Sequence, residues 1–302
     1  MAAQLESMAV NPFENPGDSA YVAWRARKLA RAPKNLNELI VEIRDPFQLR
    51  SDERAALIDA CQRANMAIYT THSGDDPDKA IPQAIARQLG LEQPDRNLLA
   101  DEDGLTSLSV ANAGMRSDYI PYTNRRLNWH TDGYYNRPEE TIRAFHLHCV
   151  RPAMTGGENA LLDPELAFIA LCDESPDFIG ALSAPDAMTI PAREDDNGIA
   201  RAAQTGPVFR ISSDGTLHMR YTARKRSIEW KQTPETLAAV AALERLLTSP
   251  VPSIFHARLS EGMGLICNNV LHDRTAFEDD PERPRLIYRA RYYDRVATKN
   301  FG

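Results

Sequence analysis

The sequence predicts a mixed α and β protein whose core is a sheet sandwich or jelly roll wrapped by helices. Three observations lead there. Short, turn-bounded, partly alternating segments crowd the middle and end of the chain. Helical patterns lie early or as insertions between those segments. Strands and helices do not alternate regularly, and no glycine-rich turn joins a strand to a helix, which argues against a doubly wound nucleotide-binding fold.

Taken in order, residues 1–20 are polar and bear proline and glycine, so they read as an irregular N-terminal arm, with 21–302 as a single domain. An Arg-rich segment from Ala20 to Ala32 has helical composition, and Leu39–Ile43 reads as a short strand. Ser51 is expected as an N-cap, because Asp52 and Glu53 follow in the first turn, where the helix dipole favours acids. The helix it opens turns Leu57, Ile58 and Cys61 inward and ends near Met66, and Ala67–Thr70 is then a strand. A second helix runs from about Pro77 to Gly90, a glycine suited to the position after a helix end.

Strands are expected at Leu105–Val110, Ile142–Val150, Val208–Ser212, Leu217–Tyr221, Ser253–Leu259, Gly264–Asn268 and Leu286–Tyr293. Asp214-Gly215 supplies a hairpin turn between two of them. Two helices interrupt, at Asp163-Pro164 and Thr233-Pro234, each an N-cap followed by proline at the first helical position. Val240, Leu243 and Leu247 form a core-packing stripe on the second.

At 302 residues the chain can bury a large core without staples. Its 35 basic and 42 acidic residues give −7 without long runs, which argues against nucleic acid as a partner, since that needs a concentrated basic face. An anionic ligand must then be held by local arginines. Cys61, Cys149, Cys172 and Cys267 form no CxxC pair and predict reduced, buried thiols. The first residues carry neither the basic nor the apolar region of a signal peptide, and no apolar run approaches the roughly 20 residues that span a bilayer. The expectation is a soluble, cytoplasmic protein with no membrane partner.

The most informative stretch is Asn128-Trp129-His130-Thr131-Asp132-Gly133-Tyr134-Tyr135. In extended backbone, residues i and i+2 project to the same side, so His130 and Asp132 can present a ring nitrogen and a carboxylate oxygen to one ion. A third ligand from another strand would complete a facial triad and leave three positions open, the arrangement of non-haem iron(II) oxygenases. Alone, His-x-Asp is weak evidence and more often marks a surface turn with a hydrogen-bonded histidine. The chain holds only seven histidines, however, and His272 opens a second unusual stretch, His272-Asp273-Arg274-Thr275-Ala276-Phe277. The apolar strand before it would deliver His272 to a sheet rim. Arg285, on an expected strand 13 residues further, has the planar fork that grips a carboxylate bidentately. His146 and His148 form a His-x-His in mid-strand with no third ligand and read as structural. Tyr134, Tyr135 and Asn136 read either as pocket lining or as core.

In order, His130-Thr131-Asp132, Gly156-Gly157-Glu158, His272-Asp273-Arg274-Thr275, Arg285 and Arg289 resemble the taurine dioxygenase superfamily of iron(II)/2-oxoglutarate oxygenases, over residues 35–295. The resemblance implies a double-stranded β-helix (jelly-roll) core with surrounding helices, forming a single catalytic domain. It implies iron(II) held by His130, Asp132 and His272, with 2-oxoglutarate as cosubstrate and dioxygen as oxidant, and release of succinate and CO2. Arg285 would pair with the distal carboxylate of 2-oxoglutarate, and Arg289 would assist the cosubstrate or grip an anionic substrate. Asn159 stands where the family usually has a threonine that touches the cosubstrate; an amide can donate the same bond. The expected partner is a small, anionic organic molecule that is oxidised, with hydroxylation the default outcome. The resemblance also points to a homo-oligomer.

Two other classes compete. A zinc hydrolase also uses two histidines and a carboxylate, but no HExxH helix is present and the two arginines would lack a purpose. A non-catalytic jelly-roll binding protein is the other, and an intact ligand set argues against it.

Overall fold

The computed structural model describes residues 10–95, 104–111, 114, 117, 119–195, 198–224, 226 and 228–296. Helix α1 (Ser19–Arg31) opens where the Asp18 side chain accepts from the Tyr21 amide at 2.8 Å. Ahead of it, Phe13 is buried, its ring 4.7 Å from Trp24 and 5.6 Å from Phe168. Helix α2 (Ser51–Ala64) has Arg50, not the expected Ser51, at its N-cap. Glu53 causes the shift: its carboxylate accepts from the amides of Arg50 (2.9 Å) and Arg44 (3.1 Å), taking over the capping role. The helix stops at Asn65, which takes a left-handed φ of 56° and turns the chain into β2 (Met66–Thr70). Helix α3 (Ala80–Gln88) starts later than Pro77 because the Asp78 carboxylate holds the Ala80 amide at 2.8 Å.

Six strands form the larger sheet, in spatial order β1 (Ile40–Glu42), β2, β16 (Met263–Cys267), β5 (Ala144–Arg151), β19 (Leu286–Tyr292) and β3 (Thr106–Leu108). Only β1 and β2 run parallel. The smaller sheet has four antiparallel strands, β15 (Ile254–Ala257), β7 (Asn159–Leu162), β17 (Leu271–Arg274) and β4 (Leu127–His130). The two sheets face each other: Leu161, Phe255 and Ala257 of the smaller share one apolar core with Leu147, Leu265 and Ile287 of the larger. Phe145 of β5 lies 4.5 Å from the His272 ring of β17, centroid to centroid.

The strand at Met263–Cys267 leads to His272 indirectly. It belongs to the larger sheet, and the chain crosses to the smaller one through Asn268-Asn269-Val270, with Asn269 at a φ of 53°. A short pair, β6 (Thr155–Gly156) with β18 (Phe277–Glu278), lies beyond the smaller sheet.

A long insertion separates β7 from β15. It begins with α4 (Pro164–Glu174), capped by Asp163, and α5 (Pro176–Leu182), which was not expected although Ser175-Pro176 repeats the same start signal. A three-stranded sheet follows, in the order β11 (Gln204–Gly206), β8 (Met188–Ile190), β14 (Glu229–Trp230). Two hairpins accompany it: β9 (Arg193–Asp195) with β10 (Gly198–Arg201), and β12 (Phe209–Ile211) with β13 (Leu217–Met219), the latter turning at Gly215. Helix α6 (Pro234–Thr248) closes the insertion and buries Val240, Leu243 and Leu247. The four cysteines are free and buried. Among the described residues, no helix is long and apolar enough to cross a membrane.

Candidate active site

His130 ends β4 and His272 sits on β17, directly paired across the ladder, with ring centroids 4.1 Å apart. Asp132 lies past the strand, in a turn that Gly133 completes at a φ of +68°. A Cβ there would come within 2.4 Å of the Ile142 side chain, so glycine alone fits. One ligand atom from each of His130, Asp132 and His272 lies within 4.8 Å of the others, and all three residues are buried.

Both rings are oriented from behind. His130 Nδ1 faces the Asn128 carbonyl at 2.9 Å and His272 Nδ1 faces the Val270 carbonyl at 3.0 Å. A carbonyl only accepts, so each Nδ1 carries the proton and each Nε2 keeps its lone pair for a metal. Burial and then the neighbouring His130 push the His272 imidazole down to about 3, so it stays neutral. Burial works against the Asp132 charge, but the positive charges of Arg289 and Arg291 outweigh it and hold the carboxyl well below the usual range. The result is an ionised carboxylate whose Oδ2 is buried without a hydrogen-bond partner. Two imidazoles turned with Nε2 toward the cluster and an orphaned carboxylate oxygen suit a divalent cation, which supplies the missing partner.

Arg285 stands one residue before β19 and is 6% exposed. It lines a small cavity with Leu147, Gly157, Asn159 and Ile287, and its guanidinium lies 4.9 Å from the Phe277 ring centroid. Its backbone amide donates to Asp279, but among the described residues its guanidinium has no carboxylate partner. Asn159 shares that cavity wall, yet one hydrogen of its amide is already given to the Asp273 carbonyl at 2.7 Å. Arg289 is placed elsewhere: its Nη1 lies 3.7 Å from Asp132 Oδ1, at the cluster itself.

Sequence reasoning missed three supports. Asn269 holds the Asp132 loop, Arg291 adds charge near Asp132, and Asp95 pairs with Arg291. Arg291 also donates to the Tyr135 hydroxyl at 2.9 Å. The two-residue spacing of Arg289 and Arg291, which puts both on one face of β19, was the available signal for this arginine. His146 and His148 stay apart from the cluster: the Tyr69 hydroxyl lies 2.8 Å from His146 Nε2 and 2.9 Å from His148 Nδ1.

Facing sheets with this buried cluster describe a non-haem metal oxygenase. Residues 28–291 match the family described as taurine catabolism dioxygenase TauD, TfdA family, and the chain belongs to it. Enzymes of this family are iron(II)- and 2-oxoglutarate-dependent dioxygenases, and this chain is one. A uridine-5'-phosphate dioxygenase from Streptomyces sp is 33% identical over 225 residues, covering 68% of this chain and 76% of the relative. Another, from Amycolatopsis sp, is 32% identical over 181 residues, covering 57% and 62%. Among solved structures, the non-heme iron oxygenase OrfP in complex with Fe and alpha-ketoglutaric acid has a TM-score of 0.62 at 16% identity, over 81% of this chain and 80% of that one. An asparagine oxygenase has a TM-score of 0.55 at 14% identity, over 82% and 85%. At those identities the likeness is one of fold.

Proposed function

We propose that this enzyme holds iron(II) with His130, Asp132 and His272 and oxidises a nucleoside 5'-phosphate of the uridine 5'-phosphate type. The observation that carries the metal assignment is the buried cluster itself, with its orphaned Asp132 oxygen. The substrate class rests on the two uridine-5'-phosphate dioxygenases that the chain resembles. The two facing sheets are read as a double-stranded β-helix, and the helices and hairpins between β7 and β15 as insertions in one catalytic domain over residues 21–302.

Each residue then has a defined task. When bound, iron(II) activates dioxygen and couples decarboxylation of 2-oxoglutarate to oxidation of a substrate C–H bond. Arg285 pairs with the distal carboxylate of 2-oxoglutarate in its cavity, where Phe277 fixes the plane of the guanidinium. Burial pushes this arginine down to about 10, still high enough to remain charged at neutral pH. Asn159 borders the same cavity and can donate its remaining amide hydrogen. Arg289 keeps Asp132 ionised and adds positive charge where the cosubstrate meets the metal.

Succinate release measured with iron(II), 2-oxoglutarate and uridine 5'-phosphate tests this function. The expected result is succinate formation that rises with the nucleotide. Turnover supported by zinc without 2-oxoglutarate would instead identify a hydrolase.

A further inference from the structure

The insertion between β7 and β15 carries three arginines, two of them close to the Tyr134-Tyr135 segment, and none has an acidic partner among the described residues. Arg201 ends the β9–β10 hairpin, Arg210 lies on β12, and Arg220 follows β13. Their hydrogen bonds go to neutral oxygens. Arg220 Nε donates to the Tyr134 carbonyl at 2.7 Å, Nη2 to Gln204 at 2.6 Å and Nη1 to Met188 at 3.4 Å. Arg201 Nη2 donates to the Pro191 carbonyl at 2.7 Å, while its Nη1 is buried without a partner. Arg210 Nη2 donates to Thr141 Oγ1 at 2.8 Å.

Backbone pairing fixes this group beside the metal ligands. The segment after β13 adds to the edge of β4: His130 and Thr222 form an antiparallel bridge, the Thr131 amide donates to the Tyr221 carbonyl at 3.0 Å, and the Ala223 amide donates to Trp129 at 2.8 Å. Continuing that register by two residues brings Arg220 level with Asp132. The Arg201 guanidinium lies 5.7 Å from the Tyr135 ring centroid. That ring is 5.1 Å from Tyr134, which is 6.4 Å from the His130 ring. The hairpin also reaches across to Tyr119 through Arg193, which packs over the Tyr119 ring.

From this placement we infer that Arg201 and Arg220 form the anchor for the phosphate of the primary substrate, a role separate from that of Arg285 and Arg289. Partly buried guanidinium groups with no carboxylate cost free energy that a bound anion recovers. Burial, followed by the neighbouring Arg201 and Arg210 charges, already pushes Arg220 down to about 10. Arg201 is the better anchor for exchange, because it spends one nitrogen on a backbone carbonyl and keeps another free. Arg220 spends all three nitrogens on backbone, so it ties β8 and β11 of the insertion to the Tyr134 segment and contributes charge. Tyr134 and Tyr135 lie between this anchor and the metal ligands, where they can flank the body of the substrate.

This inference rests on the reading of the centre as an oxygenase for a nucleoside phosphate, and one experiment separates the two. Protein loaded anaerobically with iron(II) and 2-oxoglutarate is titrated with uridine 5'-phosphate and with uridine by calorimetry, and its visible charge-transfer band is recorded separately. The wild type should prefer the phosphate-bearing ligand. Arg201→Ala and the milder Arg201→Gln should each weaken uridine 5'-phosphate at least about ten-fold, bringing it toward uridine, because a charge-assisted bond is lost. Their uridine affinity, which a collapsed site would also lose, should change little. An unchanged preference for uridine 5'-phosphate in both variants overturns the assignment of Arg201, as does a wild type without that preference. Absence of the band with the preference intact would overturn the iron and 2-oxoglutarate reading and leave the anchor standing.

Discussion

Asn269 clamps the peptide of Asp132 from both sides. Its Oδ1 accepts from the Asp132 amide at 2.8 Å, and its Nδ2 donates to the Asp132 carbonyl at 3.0 Å and to the Ile142 carbonyl at 2.8 Å. The residue is buried and holds a φ of 53°, a region that asparagine visits more readily than most side chains. One side chain therefore ties the loop that carries the carboxylate to the crossing that leads into His272.

Removing this clamp should loosen the metal site before it unfolds the protein. Asn269→Ala leaves a buried amide and two buried carbonyls short of partners and should destabilise the fold by about 2–4 kcal/mol. Iron(II) affinity should fall by about ten- to a hundred-fold, the usual effect of losing a group that orients a ligand. Urea melts and anaerobic iron titration read the two effects separately. Unchanged iron affinity in a folded Asn269→Ala protein would show that the Asp132 loop needs no such support.

The cavity beside Arg285 makes a prediction about cosubstrate alone. Arg285→Ala should cost about 2–4 kcal/mol of 2-oxoglutarate binding, on the order of thirty- to a thousand-fold in its apparent KM. Arg285→Lys keeps the charge but loses the fork and should fall between. Normal 2-oxoglutarate kinetics in both variants would mean that Arg289, at the cluster, holds the carboxylate instead.

Acid should destabilise the protein through the outer face of the larger sheet. The Tyr69 hydroxyl can donate only once, so it donates to one of His146 and His148, which must be neutral to accept, and accepts from the other. Burial, with His148 as the second cause, pushes His146 down to about 3; burial also pushes His148 down to about 4. The unfolded chain takes up these protons near pH 6.5 and the folded one does not, so stability rises with pH in this window and falls as pH drops from 6.5 toward 4. Each histidine should account for a loss of about 2 kcal/mol between pH 7 and pH 5. Urea unfolding at the two pH values checks the slope, and His148→Asn should make it shallower. Equal stability at both would require the rings to be protonated in the fold.

What the sequence made legible was the order of elements and the residues with distinctive chemistry. Helix starts at Asp163-Pro164 and Thr233-Pro234 were readable because capping is local. Ser51 misled for the same reason: Glu53 competes for the same amides, and only the folded turn decides between them. His130, Asp132 and His272 stood out because histidines are few. Asn269, Arg291 and Asp95 did not, since their roles are partnerships across long stretches of chain that local patterns do not encode. The arginines of the insertion were invisible for a related reason. Lack of an acidic partner becomes meaningful only once the neighbours are known.

The central claim is that His130, Asp132 and His272 together hold iron(II) for 2-oxoglutarate chemistry. Anaerobic addition of 2-oxoglutarate to the iron(II) protein, monitored in the visible range, tests it most directly. The wild type should bind iron stoichiometrically and develop a weak charge-transfer band. His130→Ala, Asp132→Ala and His272→Ala should each lose both while keeping the wild-type circular dichroism. A wild-type band and full iron content in Asp132→Ala would contradict the account.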